Sequence, residues 1–146
     1  MDTIDDRDLV RDLIRRKLEA HGVTATAQRI DVGCVLFDRP QHLSAEQVID
    51  RLRESNSRVS KATVYNTLNL FTQRGLVRAV TVDPTRIYYD STSEPHHHFY
   101  NADTGELTDI PPGAIEIGRL PELPPDTCAD GVHVIVQLRN RAEGES

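Results

Sequence analysis

Apolar residues in the first half of the chain recur at helical intervals in four separate stretches. Leu9, Leu13, Ile14 and Leu18, with charged residues between them, predict a helix over Asp8 to Ala20, ended by His21-Gly22. Thr24-Ala25-Thr26 offers capping hydroxyls to a second segment through Ile30, Val32, Val35 and Leu36, which Arg39-Pro40 stops. His42 is expected in the short loop that follows. Ser44-Ala45-Glu46-Gln47 has the form of a capping box, opening a third helix whose apolar side is Val48, Ile49 and Leu52 and whose end is Glu54-Ser55-Asn56-Ser57. Ser60 then caps a fourth helix, Lys61 to Arg74, with Val64, Leu68 and Phe71 as its buried stripe.

After Gly75 the period changes from helix to strand. Leu76 to Val82 and Arg86 to Asp90 are rich in Val, Ile and Tyr and flank a turn at Asp83-Pro84-Thr85. Helices followed by a two-stranded hairpin make a winged helix, in which the Ser60-capped helix enters the major groove and Arg86 sits at the wing. Beyond Glu94 the pattern predicts short strands at His97 to Asn101 and Leu107 to Ile110, a helical stretch over Ala114 to Leu120, a Pro-rich loop, and a last strand at Val132 to Leu138. So few elements bury little surface alone, and this half is expected to complete its core against a second copy. The expected class is α+β: an N-terminal winged helix-turn-helix domain over residues 1–90, a hinge at about 88–95, a small α/β dimerisation domain over 96–140, and a flexible tail at 141–146.

The net charge of −6 argues against a nucleic-acid partner only until it is divided along the chain. Residues 1–90 hold 14 basic and 13 acidic side chains, residues 91–146 hold 3 and 10, and from Val59 to Val82 there is no acid at all. The exposed side of the fourth helix is then a Lys, hydroxyls, amides and a Tyr, the groups that bond phosphates and base edges. There is no apolar run of membrane-spanning length, and the start of the chain, Met1-Asp2-Thr3-Ile4-Asp5-Asp6, is unlike a signal peptide, so a cytoplasmic location is expected. The two cysteines, Cys34 in an apolar run and Cys128 in a Pro-rich loop, cannot make a thiolate zinc site within one chain.

Chemistry concentrates in Tyr89-Asp90-Ser91-Thr92-Ser93-Glu94-Pro95-His96-His97-His98-Phe99-Tyr100, where half of the six histidines stand within nine residues of Asp90. Imidazoles beside carboxylates suit iron, manganese or zinc. In an extended chain His96 and His98 share one face and His97 takes the other, so the triplet can serve two places.

Taken together, Ala62-Thr63-Val64-Tyr65-Asn66-Thr67-Leu68, Gly75-Leu76-Val77, His42-Leu43-Ser44-Ala45-Glu46 and the histidine triplet at the start of a second domain resemble the ferric uptake regulator family of metal-dependent bacterial repressors, over nearly the whole chain. The resemblance implies a regulatory metal site of His42, Asp90, His96, His98 and Asp109, spaced as in the family's peroxide-sensing members, and a second site of His97, Glu116 and His133. It implies Fe2+ or Mn2+ as the cellular metal, with Zn2+ able to substitute in vitro, double-stranded operator DNA and a homodimer as partners, and no enzymatic activity. Arg29, Lys61 and Arg86 would meet phosphate, and Thr63, Tyr65 and Asn66 the backbone or base edges. In the peroxide-sensing mode, His42 or His96 would be oxidised on ferrous iron. Asn101 and Thr104 stand where most members carry the first C-x-x-C of a structural zinc site, and this loss, with Thr108-Asp109-Ile110-Pro111, is similar to the iron response regulator branch, which senses haem or iron status. Haem is therefore a further expected ligand, with the triplet as its axial donor. Two other readings stand beside this one: a metallohydrolase using the same clusters to activate water, and a DNA-binding protein whose histidines merely staple it.

Overall fold

The computed structural model describes residues 6–92 and 96–144, and the chain divides into two compact units, Met1–Ser93 and Glu94–Ser146. The last part of the expected hinge, residues 93–95, and the end of the expected tail lie outside the described residues.

The first unit runs α1 (Asp6–Ala20), α2 (Ala27–Leu36), β1 (His42–Ser44), α3 (Ala45–Glu54), α4 (Lys61–Gln73), β2 (Arg78–Asp83) and β3 (Arg86–Asp90). The starts of α2, α3 and α4 are each fixed by a local hydroxyl. The Thr26 side chain accepts from Arg29 N–H and the Ser60 side chain from Thr63 N–H. Ser44 and Gln47 close a reciprocal capping box, with Ser44 N–H donating to Gln47 Oε1 at 2.9 Å. Leu18, Val32, Leu36, Val48, Val64, Leu68 and Phe71 are fully buried and join the helices into one core. Helix α2 comes close to α1 at Gly33, where an added Cβ would stand 2.6 Å from the Ile14 Cγ2 methyl.

The sheet order is β1-β3-β2, with both pairings antiparallel. Strand β1 corrects the expectation that His42 lies in a loop. Three residues are too few for a periodic signal; what makes them a strand is the ladder to β3, set up by Gln41. The Gln41 carboxamide donates to the carbonyls of Val35 and Leu36 at the end of α2 and accepts from Arg51 at 2.7 Å, while its backbone exchanges hydrogen bonds with Ser91.

The second unit contains β4 (His98–Asn101), β5 (Leu107–Asp109) and β6 (Ile135–Leu138), in the order β5-β4-β6, with β4 antiparallel to β5 and parallel to β6. Residues 114–120 are not helical, against expectation. Pro111-Pro112-Gly113-Ala114 instead turns the chain, with Ala114 N–H donating to Pro111 O at 3.1 Å and Gly113 at φ +80°, the signature of a type II turn. Gly118 and the prolines at 121, 124 and 125 then give a helix no run long enough to propagate. Among the described residues no helix is long and apolar enough to cross a membrane.

Burial separates the two kinds of leucine on these helices. Leu68→Ala, at a fully buried position, is expected to cost about 2–5 kcal/mol. Leu13→Ala, at a position 55% exposed, is expected to stay within about 0.5 kcal/mol of the parent. Urea melts of the two variants check this, and equal losses would contradict the assigned core.

Candidate metal centre and nucleic-acid face

In the first unit, antiparallel pairing sets His42 of β1 directly opposite Asp90 of β3. Cross-strand partners share a face of the sheet, which brings His42 Nε2 to 3.2 Å from Asp90 Oδ2. The other carboxylate oxygen accepts from Thr92 N–H at 2.9 Å and from Thr92 Oγ1–H at 2.6 Å. Asp90 is fully buried, and burial alone would raise its carboxyl. The His42 imidazole against it and the hydrogen bonds from Thr92 outweigh that and hold it well below the usual carboxylate range. Asp90 therefore stays an anion, ready-made as an oxygen donor.

The second unit repeats the device. His98 of β4 pairs directly across from Asp109 of β5, and both His98 Nε2 and His96 Nε2 converge on Asp109 Oδ1, at 3.4 and 2.7 Å. The two rings lie 4.7 Å apart between centroids. Three donor atoms, one each from His96, His98 and Asp109, thus lie within 4.8 Å of one another. Two imidazole nitrogens aimed at one carboxylate oxygen form a nitrogen-oxygen donor set that fits a divalent transition metal.

As the extended-chain reading expected, His97 faces away from this pair. Its Nδ1 accepts Val134 N–H at 2.9 Å, and its ring stacks 6.3 Å from that of His133. His133 is drawn to His98 instead: its Nε2 and His98 Nδ1 are 2.8 Å apart, with the rings edge to face. Glu116 is exposed on the irregular segment after the type II turn, and among the described residues it forms no three-donor cluster with His97 and His133.

Five of the six residues expected to meet DNA line two grooves of the first unit, and Lys61 lies outside both. Arg29, Thr63 and Asn66 line one of them, between the start of α2 and α4, together with Thr26 and Gln28. The Arg29 guanidinium is steadied by the Thr24 carbonyl at 2.9 Å, and the Thr63 hydroxyl accepts from Ser60 Oγ–H at 2.9 Å. Tyr65 and Arg86 line the other, with Asn69 and Ile87. Lys61 is exposed at the first position of α4. The wing turn is closed by Asp83 Oδ1, which accepts from both the amide and the hydroxyl of Thr85, and these bonds hold its carboxyl below the usual range. One acid intrudes on a face that its own segment leaves free of acids. Glu46, nineteen residues upstream on α3, accepts the Tyr65 hydroxyl at 3.2 Å and pushes the phenol up.

The model of the ferric uptake regulator family matches residues 20–119. The peroxide operon regulator of Bacillus subtilis (strain 168) is 30% identical over 104 residues, covering 70% of this chain and 72% of that protein. The ferric uptake regulation protein of Synechococcus elongatus is 30% identical over 89 residues, 60% of each chain. Among solved structures, the ferric uptake regulator from Pseudomonas aeruginosa with manganese has the same fold, with a TM-score of 0.68 at 22% identity over 89% of this chain and 99% of that one.

The Asp90 geometry has a pH signature. A carboxyl whose folded-state value is depressed stabilises the fold above its unfolded value, near pH 4, and that contribution is lost as the pH falls through the lowered folded-state range. Asp90→Asn is therefore expected to melt earlier than the parent at neutral pH, with the gap closing in acid. Urea melts at pH 7, 5 and 3 read this; a gap constant with pH would show that the charge of Asp90 is not what stabilises.

Proposed function

The chain belongs to the ferric uptake regulator family, whose members are metal-responsive transcription regulators rather than enzymes, and from that premise we propose that it is a homodimeric, metal-dependent DNA-binding repressor. The observation that carries the reading is the convergence of His96 and His98 on one oxygen of Asp109. The buried His42–Asp90 pair supplies the same donor chemistry in the first unit. We assign His42, Asp90, His96, His98 and Asp109 as the ligands of one divalent ion, ferrous iron or manganese in a cytoplasmic cell setting. Neither donor group alone fills the five or six positions that such ions take, whereas the two together do.

When bound, the ion supplies a fixed centre of positive charge that both carboxylates can share. The chain's own residues do the rest. Asp90 and Asp109 present anionic oxygens, the three imidazoles present nitrogen lone pairs, and Thr92 orients the Asp90 carboxylate from behind. Because the ligands come from both the DNA-binding unit and the second unit, metal affinity and DNA affinity are thermodynamically linked, each favouring the other by the same factor. Ser60-capped α4 presents Lys61, Thr63, Tyr65 and Asn66 to the major groove, with Arg29 and Arg86 on flanking phosphates. The exposed apolar side chains Ile117, Leu120, Leu123, Val132 and Leu138 of the second unit support pairing with a second copy. The names of the Bacillus and Synechococcus relatives point to genes of peroxide defence or iron supply as targets.

The test uses full-length protein and a DNA fragment selected from a random pool by the Mn2+-loaded form. Chelation is expected to weaken binding at least fivefold, and His42→Ala and His98→Ala to bring the Mn2+-supplemented protein down to the chelated level. A DNA affinity indifferent to chelation would leave a DNA-binding protein without a metal switch. On the same fragment, Lys61→Ala is expected to weaken binding without changing sequence preference and to lower the salt slope by about 1. An unchanged slope would remove Lys61 from the phosphate contacts.

A further inference from the structure

The second unit holds two imidazoles that the metal reading does not use, His97 and His133, and the position of His133 is set by backbone rather than chance. Strand β6 runs parallel to β4 with Ile135 beside His98, and the Val134 peptide just before it is clamped on both sides. The Val134 carbonyl accepts His98 N–H at 3.1 Å, and Val134 N–H donates to His97 Nδ1 at 2.9 Å. With that peptide fixed, the preceding side chain is delivered to His98: His133 Nε2 lies 2.8 Å from His98 Nδ1.

Accounting for the ring nitrogens assigns the roles. A neutral imidazole has one N–H and one lone pair. His97 uses its Nδ1 lone pair on Val134 N–H, which leaves its proton on Nε2 and no lone pair for an ion. His98 is 2% exposed, so each of its nitrogens needs a partner inside the protein. Its Nε2 faces Asp109 Oδ1 and its Nδ1 faces His133. For Nε2 to offer a lone pair to a metal, the ring proton must sit on Nδ1 and have an acceptor there. The structure supplies that acceptor.

We propose that His133 is not a ligand of a second ion but the positioning residue of the first: its Nε2 accepts the Nδ1–H of His98, locking His98 in the tautomer whose Nε2 binds metal, while His97 fastens the Val134 peptide that holds His133 in place. This rests on the metal assignment of His98 made above. It also reassigns two of the three residues expected to form a second site and leaves Glu116 without imidazole partners among the described residues.

The experiment titrates full-length protein with Mn2+ for affinity and stoichiometry. His133→Ala is expected to weaken binding about 10–100-fold, the usual cost of losing a partner behind a ligating imidazole, with the number of ions per chain unchanged. His133→Gln, whose carboxamide oxygen can take the same proton, is expected to recover most of that loss. If both variants instead lose one equivalent of Mn2+ while the remaining equivalent binds as tightly as before, His133 is a ligand and the proposal is overturned; unchanged affinity in His133→Ala overturns it equally. A second measurement does not depend on the variants folding. In the wild-type Zn2+ form, imidazole 15N shifts are expected to show His98 protonated on Nδ1 and metal-bound through Nε2; a deprotonated or metal-bound Nδ1 refutes the assignment. His98→Ala separates the two levels. Loss of Mn2+ binding there with no effect at His133 defeats this inference alone, whereas Mn2+ binding indifferent to His98→Ala defeats the metal reading beneath it.

Discussion

Antiparallel pairing that sets an imidazole across from a carboxylate governs the chemistry of both units. His42 faces Asp90 in one sheet and His98 faces Asp109 in the other. Each pair is fixed by register, and register is fixed by what surrounds it: Gln41 bridging α2, α3 and Ser91 in the first unit, and in the second the turn closed by Gly105 N–H on the Asn101 carbonyl together with Ile110 N–H on the His97 carbonyl. A slip of one residue in either ladder would turn the imidazole to the opposite face and dissolve the donor set. The donor arrangement is therefore a property of the hydrogen-bond ladders as much as of the side chains themselves.

The helices of the first unit were legible because local rules suffice for them. Ser44 with Gln47, Ser60 and Thr26 are signals contained within four residues, and the Val64, Leu68, Phe71 stripe lies on a single helix. Strand β1 was not legible, since three residues carry no period and its existence depends on β3, nearly fifty positions away. The same limit explains the stretch at 114–120. Its composition allowed a helix, but Pro111-Pro112-Gly113-Ala114 commits the chain to a turn and the following glycine and prolines prevent recovery. The opposition of His97 to His96 and His98 was readable from the two-residue period of extended chain. The partner that each ring then takes was not, because it comes from β5 or from the approach to β6.

The nucleic-acid face shows the same division between local and distant information. Within its own segment α4 is free of acids, and that pattern read as a surface for phosphate and bases. In three dimensions the Tyr65 hydroxyl is held by Glu46 from α3. A carboxylate there repels phosphate and accepts hydrogen bonds, so under the proposed DNA contact this tyrosine is restrained by a neighbour that would have to yield it, or share it, with a base edge. Of the three cationic side chains proposed to meet phosphate, Arg86 lines the same groove as this pair, whereas Arg29 lines the other.

Three consecutive histidines ordinarily suggest three equivalent ligands, and here the backbone makes them unequal. His96 and His98 turn to Asp109 because extended chain alternates its side chains; His97, forced to the other side, meets a peptide N–H and spends its lone pair there. That contact helps hold β6 against β4, and β6 carries His133 to the back of His98. Under the proposed metal site, the residue that cannot bind the ion thus orders the residue that orients a ligand. Burial completes the chain of causes: because His98 has almost no solvent to turn to, the choice of which nitrogen holds its proton is made by His133 and Asp109, and with it the choice of which nitrogen is left to meet a metal.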